Sequence, residues 1–458
     1  MSETMTIRSP YDGSHVGDVP AMTVADVDQA VRKADNASKN HPLPAWHRAE
    51  ILTLASDMIA RRREELAEVI AREAAKPLAT ARHEAARAIS TLGFAGVEAR
   101  RLNGEVIPME GSMLGDGKLA YTNRVPVGVV GAITPFNFPL NLVAHKVGPA
   151  IAAGCPVVLK PASQTPFSAF ALAEVLTECG LPDGWLNIVT GSGKEVGNAL
   201  VEHPGVSYIS FTGSAAVGWS LPQKASRTRV ALELGNSTPM IIEPDSDWVS
   251  AAHAIATGGY NHAGQSCISV QRVYVQEEIA GDFTRLVTDL VSGLVVGDPL
   301  AGGTQVSSLI NESERDRVHE WIHEAVSQGA DLQCGGAIEG SIITPAVLTN
   351  TTLNMKVQSE EVFGPLVSLQ TYRTIEEALD LANGTRYGLQ AGIYTSNLHT
   401  AMRASQELVF GGVLINEIPA WRADIMPYGG MKESGNIREG PAYAVRSMTE
   451  ERLVVINL

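Results

Sequence analysis

Cysteine is scarce in this chain. Cys155, Cys179, Cys267 and Cys334 are widely scattered and form no Cys-x-x-Cys pair. Neither a disulfide framework nor a zinc site is indicated, no metal is expected, and each thiol has to be judged on its surroundings. Long apolar runs are missing too: no stretch reaches the roughly eighteen residues that span a bilayer. The start, Met1-Ser2-Glu3-Thr4, lacks a basic segment followed by an apolar one, so a cytoplasmic protein is expected. Positive charge is in deficit, 35 Lys and Arg against 50 Asp and Glu, for a net charge of −15. That surface repels phosphate backbones, which argues against nucleic acid and anionic membranes as partners, and any anionic ligand must find a local positive site. What the chain does have is length and apolar content, 458 residues at 45% hydrophobic, more than one core of usual size absorbs.

The pattern along the chain is that of an α/β protein. After a short polar stretch, Thr23 with Asp26 three residues on reads as a capping-box start, and helical spacing continues to about Glu98. Met109 to Pro126 breaks the pattern with Gly111, Gly115 and Gly117 and reads as an exposed hairpin arm for subunit contact. Apolar runs then alternate with helical sequence: Val127 to Thr134, Val157 to Leu159, Leu186 to Val189 and Tyr208 to Phe211, which implies a parallel, doubly wound sheet. A second series, Met240 to Ile242, Val270 to Val275, Leu366 to Thr371, Gly392 to Thr395 and Val413 to Ile415, with a helix over Ser313 to Gln328, implies a second lobe. The last run, Arg452 to Ile456, comes too late to close either lobe and is expected to pair with the arm.

Three segments carry candidate chemistry. Cys267 lies in Gly264-Gln265-Ser266-Cys267, a polar loop between helix and strand from which a thiol can reach a cleft; a small buried hydrophobe is the plainer reading, and fits Cys155 and Cys179. Glu233, in Leu232-Glu233-Leu234-Gly235-Asn236, ends an apolar run, where desolvation can raise its pKa and make it a base toward thiol or water. Pro135-Phe136-Asn137-Phe138-Pro139 is a stiff turn whose Asn137 amide can donate to an oxyanion or simply cap the next helix. Two further segments suggest a nucleotide. Phe211 to Gly218 ends a strand and opens a helix, so its amides can face a pyrophosphate. Lys160 ends another strand where an ammonium can meet a ribose or its phosphate, a solvated lysine being the plainer reading. Gly191-Ser192-Gly193-Lys194 lacks P-loop spacing and is discounted.

In this order these segments resemble the aldehyde dehydrogenase superfamily over nearly the whole chain, from the arm to Gly440. The resemblance implies two doubly wound α/β lobes, a Rossmann-like cofactor domain over 1–107 and 127–234 and a catalytic domain over 235–440, plus a small β oligomerisation arm of 108–126 and 441–458. It implies an oxyanion hole from Asn137 and the Cys267 backbone amide, a thioester on Cys267 and water activation by Glu233. It also implies NAD or NADP held by Ile133, Thr134, Lys160, Ser163, Thr212, Gly213, Ser214, Gly218 and Leu234, with Glu361 on the nicotinamide ribose and Phe363 placing the ring. A homodimer or homotetramer acting on a small aldehyde is the expected assembly.

Departures from the family pattern inform cofactor and substrate. Ser163 stands where many NAD-preferring members carry an acidic residue, so NADP is expected to be tolerated. Asn236 replaces a glycine and Ile437 interrupts a Gly-x-Gly-Arg-Glu run, the only support for an alternative in which the chain keeps the fold as a binding or structural protein without turnover. A third reading is a thiol hydrolase that needs no nicotinamide. Asn141 and His145 follow Asn137 at four-residue steps on one helix face, expected to look into the substrate tunnel. With Arg422 they suggest a polar or anionic aldehyde, although His145 can equally be satisfied by neighbours and Arg422 by an ion pair with Asp424. Ser266, a further residue expected at the substrate, stands where some members place an arginine to bind the anion, which argues against a strongly anionic one. The wording lies nearest to members acting on lactaldehyde, phosphonoacetaldehyde, sulfoacetaldehyde or glyceraldehyde 3-phosphate.

Overall fold

The computed structural model describes residues 3–458; Met1 and Ser2, where the first expected domain and the leader reading begin, lie outside the described residues. The Thr23 box forms, with the Thr23 N–H and hydroxyl both donating to the Asp26 carboxylate, at 2.7 and 2.8 Å. The long helical stretch is cut into Val24–Asn40, Ala45–Arg61, Arg63–Ala74 and Leu78–Arg101. Pro42, Pro44 and Pro77 stand in the first and third breaks, as a missing N–H and a clash with the preceding turn demand, while Arg62 alone separates the second helix from the third. Ahead of the first helix, the polar stretch forms an antiparallel hairpin, Thr4–Arg8 with His15–Pro20, that the sequence reading did not contain.

Five parallel strands make one sheet in the order Leu186–Ile188, Val157–Lys160, Val129–Ile133, Val206–Thr212 and Arg229–Glu233. Seven make another, in the order Asp331–Cys334, Ala346–Thr349, Leu366–Tyr372, Val270–Gln276, Thr238–Ile242, Gln390–Tyr394 and Gly412–Ile415, with only the first antiparallel to its neighbour. Helices cover both sheets, with separate apolar cores around Leu92, Val147 and Leu159 and around Val273, Phe283 and Val367. Leu234 to Ser237 alone join the last strand of the first sheet to the middle of the second. The chain returns there late: Gly435 bridges to Glu233, and Asn436 N–H donates to the Leu232 carbonyl at 3.2 Å.

The expected arm hairpin is corrected. Met109–Gly111 and Met113–Gly115 are single 3-10 turns, and Lys118–Pro126 is one nine-residue strand paired along its length with Thr449–Asn457 and at its other edge with Val106–Ile107. The late run therefore does pair with the arm segment, but as the partner that the segment itself lacks. Among the described residues no helix is long and apolar enough to cross a membrane.

Candidate active site

Cys267 is delivered by an unusual backbone. His262, Ala263 and Gly264 take φ values of 51°, 54° and 72°, three left-handed residues in succession. Such conformations cost free energy and persist only where the surroundings impose them. Gly264 is obligatory, because a Cβ there would overlap the Gly364 carbonyl. The chain thereby turns from the end of helix Trp248–Gly258 into strand Val270–Gln276 and leaves Cys267 on a cavity of about 50 Å³, with Sγ 2.9 Å from the Tyr428 hydroxyl. Burial pushes the thiol pKa up to about 12, with the Tyr428 hydroxyl working in the opposite direction. Cys155, by contrast, is fully buried and donates to the Met448 carbonyl at 3.3 Å, a packed thiol.

Glu233 ends strand Arg229–Glu233 and lines the same cavity, and neither of its carboxylate oxygens has a hydrogen-bond partner. An unpaired buried carboxylate favours its neutral form. Burial, then the charge of Glu439, raise its pKa well above the carboxylate range, against Arg422 and Lys146. Its carboxyl thus holds a proton more readily than an ordinary one, and its carboxylate, once formed, is the stronger base.

The turn at Asn137 lies against the Cys267 loop from the other side. Asn137 is buried, its Nδ2 donates one hydrogen to the Gln265 carbonyl at 2.9 Å, and its Oδ1 is unpartnered. The second amide hydrogen is uncommitted. Gln265 in turn holds the loop, donating from Nε2 to the His262 carbonyl at 3.1 Å and accepting from Ile310 N–H at 2.9 Å.

One wall of the cavity is charged, and its pairing differs from the sequence expectation. Asp424 is bound by Arg87, not Arg422: Arg87 Nη2 donates to Asp424 Oδ1 at 2.7 Å, and Asn141 Nδ2 and His145 Nε2 reach the same oxygen at 3.2 and 2.9 Å. Although burial opposes it, His145 and Arg87 hold the Asp424 carboxyl far below its usual range. Arg422 stacks on the Tyr428 ring at 3.7 Å and faces Glu439 at 3.5 Å, while its Nε is unpartnered. Lys146 completes the group, donating to Glu439 at 3.0 Å and Ser210 at 2.9 Å. Arg87, Asn141, Ser266 and Arg422 line the cavity, and His145 does not. Burial and Arg422 push the His145 pKa down to about 4, so its ring is neutral near pH 7.

The cofactor candidates gather at the strand ends of the first sheet. Ile133 and Lys160 close neighbouring strands, and Thr134 N–H donates to the Lys160 carbonyl at 3.2 Å. Lys160 Nζ is buried with only the adjacent Pro161 carbonyl at 3.1 Å as partner, and desolvation pushes its pKa down to about 8. Ser163 donates to the Gly191 carbonyl at 2.9 Å. Thr212 and Thr134 hydroxyls are buried and unpartnered. Ser214 caps a four-residue helix, Ala215–Gly218, and a Cβ on Gly218 would overlap Leu234. Glu361 packs against Gly235 and accepts from Asn236 N–H at 3.1 Å, its pKa raised to about 7 by burial. Phe363, at φ 48°, sets its ring edge-on to Phe136 at 5.8 Å.

The aldehyde dehydrogenase family model matches residues 1–454. The chain belongs to the aldehyde dehydrogenase family. Among its relatives, 3-sulfolactaldehyde dehydrogenase of Priestia aryabhattai is 44% identical over 457 residues, covering 100% of this chain and 96% of that protein. Two solved structures superpose closely. Aldehyde dehydrogenase 21 from Physcomitrella patens, in complex with the reaction product succinate, gives a TM-score of 0.96 at 36% identity, over 100% of this chain and 95% of the other. A glyceraldehyde-3-phosphate dehydrogenase from Methanocaldococcus jannaschii, complexed with NADP, gives 0.95 at 36% identity and 100% of both chains.

As an aldehyde dehydrogenase the chain tolerates its two departures without distortion. Neither Asn236 nor Ile437 has a positive φ. Asn236 is used fully, its side chain donating to Thr238 and the Gln390 carbonyl and accepting from Leu389 N–H. The binding-protein alternative loses both its supports. Arg87, Asp424, Tyr428 and Glu439 were not among the candidates from sequence; Tyr428 and Asp424 had a signal, standing within a few residues of Arg422, and Glu439 another, closing the Gly-x-Gly-Arg-Glu run, while Arg87 had none.

Proposed function

We propose that this aldehyde dehydrogenase oxidises a small aldehyde with a polar or anionic tail to its carboxylic acid, through a thiohemiacetal and a thioester on Cys267, with NAD or NADP as acceptor. The observation that carries it is a single cavity bounded by a thiol and by a buried carboxylate with no partner of its own. The Cys267 thiol gives its proton to the Glu233 carboxylate, from which it passes to solvent, and the sulfur adds to the aldehyde carbon while the free hydrogen of the Asn137 amide, with the Cys267 N–H, receives the alkoxide oxygen. Bound nicotinamide supplies the hydride acceptor. Glu233 then takes a proton from water, whose oxygen adds to the thioester carbon and displaces the thiolate.

The polar groups around Lys160 fit a dinucleotide. A buried ammonium without a carboxylate and two orphaned hydroxyls, Thr134 and Thr212, require polar partners that the chain itself does not supply. Lys160 and Ser163 would meet the adenosine ribose or its phosphate; Gly213, Ser214 and Gly218 the pyrophosphate; Ile133, Leu234, Glu361 and Phe363 the nicotinamide half. Ser163 brings no negative charge to repel a 2′-phosphate, which supports use of NADP as well as NAD. The small cavity favours a short substrate, and the cationic Arg87 and Arg422 on its wall favour a negative or strongly polar tail. The sulfonate, carboxylate and phosphate in the relatives' names point the same way.

The division of the chain into a cofactor domain of 1–107 and 127–234, a catalytic domain of 235–440 and an arm of 108–126 and 441–458 belongs to the same proposal. So does a cytoplasmic homodimer or homotetramer, supported by exposed Leu453, Val455 and Ile456 on the edge strand of the arm, whose outer side pairs with no strand among the described residues. The test is absorbance of reduced nicotinamide with lactaldehyde, succinate semialdehyde, glyceraldehyde 3-phosphate, phosphonoacetaldehyde and hexanal. Growth that is lost in Cys267→Ala supports the mechanism. Preference for hexanal sinks the polar-tail assignment, and cofactor binding without turnover sinks the whole reading.

A further inference from the structure

A second charged device lies behind the Asn137 turn, outside the reacting cavity. Lys76 and Glu84, which bracket the start of helix Leu78–Arg101, are both fully buried, with no exposed side-chain surface. Lys76 Nζ donates to Glu84 and, at 2.5 Å, to the backbone carbonyl of Asn137, and stands 3.9 Å from the centre of the Phe138 ring. The other Glu84 oxygen accepts the N–H groups of Leu140 and Asn141 at 2.9 and 3.1 Å, which open helix Asn141–Ala153. One ion pair therefore grips the turn at both ends, on the carbonyl of the residue that carries the amide and on the two N–H groups that follow the turn.

We infer that Lys76 and Glu84 are positioning residues for the oxyanion hole: they fix the Asn137 backbone so that its amide, anchored to the Gln265 carbonyl, keeps its second hydrogen aimed where the alkoxide forms. The inference rests on the role proposed for Asn137. Its physical basis is that fixed donors stabilise developing charge without reorganising, while a displacement of about 1 Å at such a donor costs about a hundredfold in rate. A buried ion pair is an expensive way to hold a turn, and a merely structural tie would be served by apolar packing. Glu73, eleven residues earlier than Glu84, caps helix Phe167–Glu178 through the Phe167 and Ser168 N–H groups with no lysine beside it, so capping alone does not call for the ammonium.

The test uses the full chain and needs no knowledge of the natural aldehyde. Hydrolysis of p-nitrophenyl acetate forms an oxyanion at Cys267, whereas alkylation of Cys267 by iodoacetamide does not. Lys76→Met keeps the stem over Phe138 and removes the donor. It is expected to lower kcat for ester hydrolysis about a hundredfold with little change in KM, and to leave the alkylation rate at the wild-type value. In an Asn137→Ala background the same substitution is expected to cost nothing further, because both changes remove one function. Equal ester hydrolysis by wild type and Asn137→Ala overturns the assigned role of Asn137 itself. If that role stands, additive losses in the double variant, or parallel losses of ester hydrolysis and alkylation, overturn the positioning role. Should Lys76→Met not fold, Glu84→Gln, which keeps an acceptor for Leu140 and Asn141, carries the same cycle.

Discussion

The two sides of Cys267 treat buried polarity in opposite ways. On the wall, where Arg87, Arg422 and Glu439 line the cavity and Asp424, His145 and Lys146 stand behind them, most buried charges have a partner, and Asp424 alone is reached by three side chains. Toward the base and the cofactor candidates, Glu233, Thr134, Thr212 and Asn137 Oδ1 have none, and Lys160 has only a neighbouring carbonyl. Folding alone cannot explain the second side, since an unmatched buried polar group costs about 1–3 kcal/mol. The matched side is architecture that a ligand meets; the unmatched side is unfinished until a ligand completes it. Substitutions should therefore act on stability at the wall and on turnover or cofactor affinity across from it.

The largest effect is expected at the thiol between the two sides. Cys267→Ala should lower formation of reduced nicotinamide about ten-thousand-fold or more, and residual aldehyde turnover would sink the thioester mechanism. Next comes the orphaned base. Glu233→Gln should slow steady-state turnover about 10²- to 10⁴-fold while a first turnover of reduced cofactor survives as a burst in stopped flow. Because burial and Glu439 raise the Glu233 pKa, its basic form grows as pH rises, so hydrolysis of the thioester should climb with pH above the ordinary carboxylate range and the climb should vanish in the variant.

Smaller effects sharpen the contrast. Lys160→Met should weaken NADP about 10- to 100-fold in equilibrium titration, the size of one charge-assisted contact. Its pKa is pushed down to about 8, so the ammonium is present below that pH and lost above it. Wild-type affinity should fall as pH rises through about 8 and stay flat in the variant. At the wall, Asp424→Ala should cost about 3 kcal/mol of stability by stranding Arg87, read as a lower denaturation midpoint. Asp424 titrates below its ordinary range when folded, so its stabilisation is complete above the unfolded carboxyl's pKa and fades as pH falls through and below it. If Asp424→Ala changes only turnover, the division between the two sides fails.

Much of this was legible in the residues, for identifiable reasons. Alternating runs located both sheets because buried parallel strands are apolar on both faces, and Cys267, Glu233 and Asn137 stood out as short-range contrasts of polar residue against apolar strand or stiff turn. His145 shows where the method stops. Helical spacing put it on the face of Asn141, but every one of the 13 residues of Asn141–Ala153 is buried, so a shared face does not distinguish cavity from interior. Arg87 was invisible because its partner lies 337 positions away. The N-terminal hairpin was missed although Thr4 to Arg8 alternates polar and apolar residues, because its partner His15–Pro20 carries a glycine and a proline and does not alternate. The pairing of the late run with the arm was legible because that run closes neither lobe, but the arm's hairpin was misplaced, since the strand at its other edge, Val106–Ile107, precedes the glycine-bearing segment.

Those separations also set a schedule. Asn137 meets Gln265 across 128 residues, Lys146 meets Glu439 across 293, and Arg87 meets Asp424 across 337. Each closure spends chain entropy before it is rewarded, so contacts of this span form late. A chain released from denaturant should regain helical signal well before catalytic activity. The lag between them is the time taken by one late segment, residues 424–439, to come home to a pocket whose other parts are already standing.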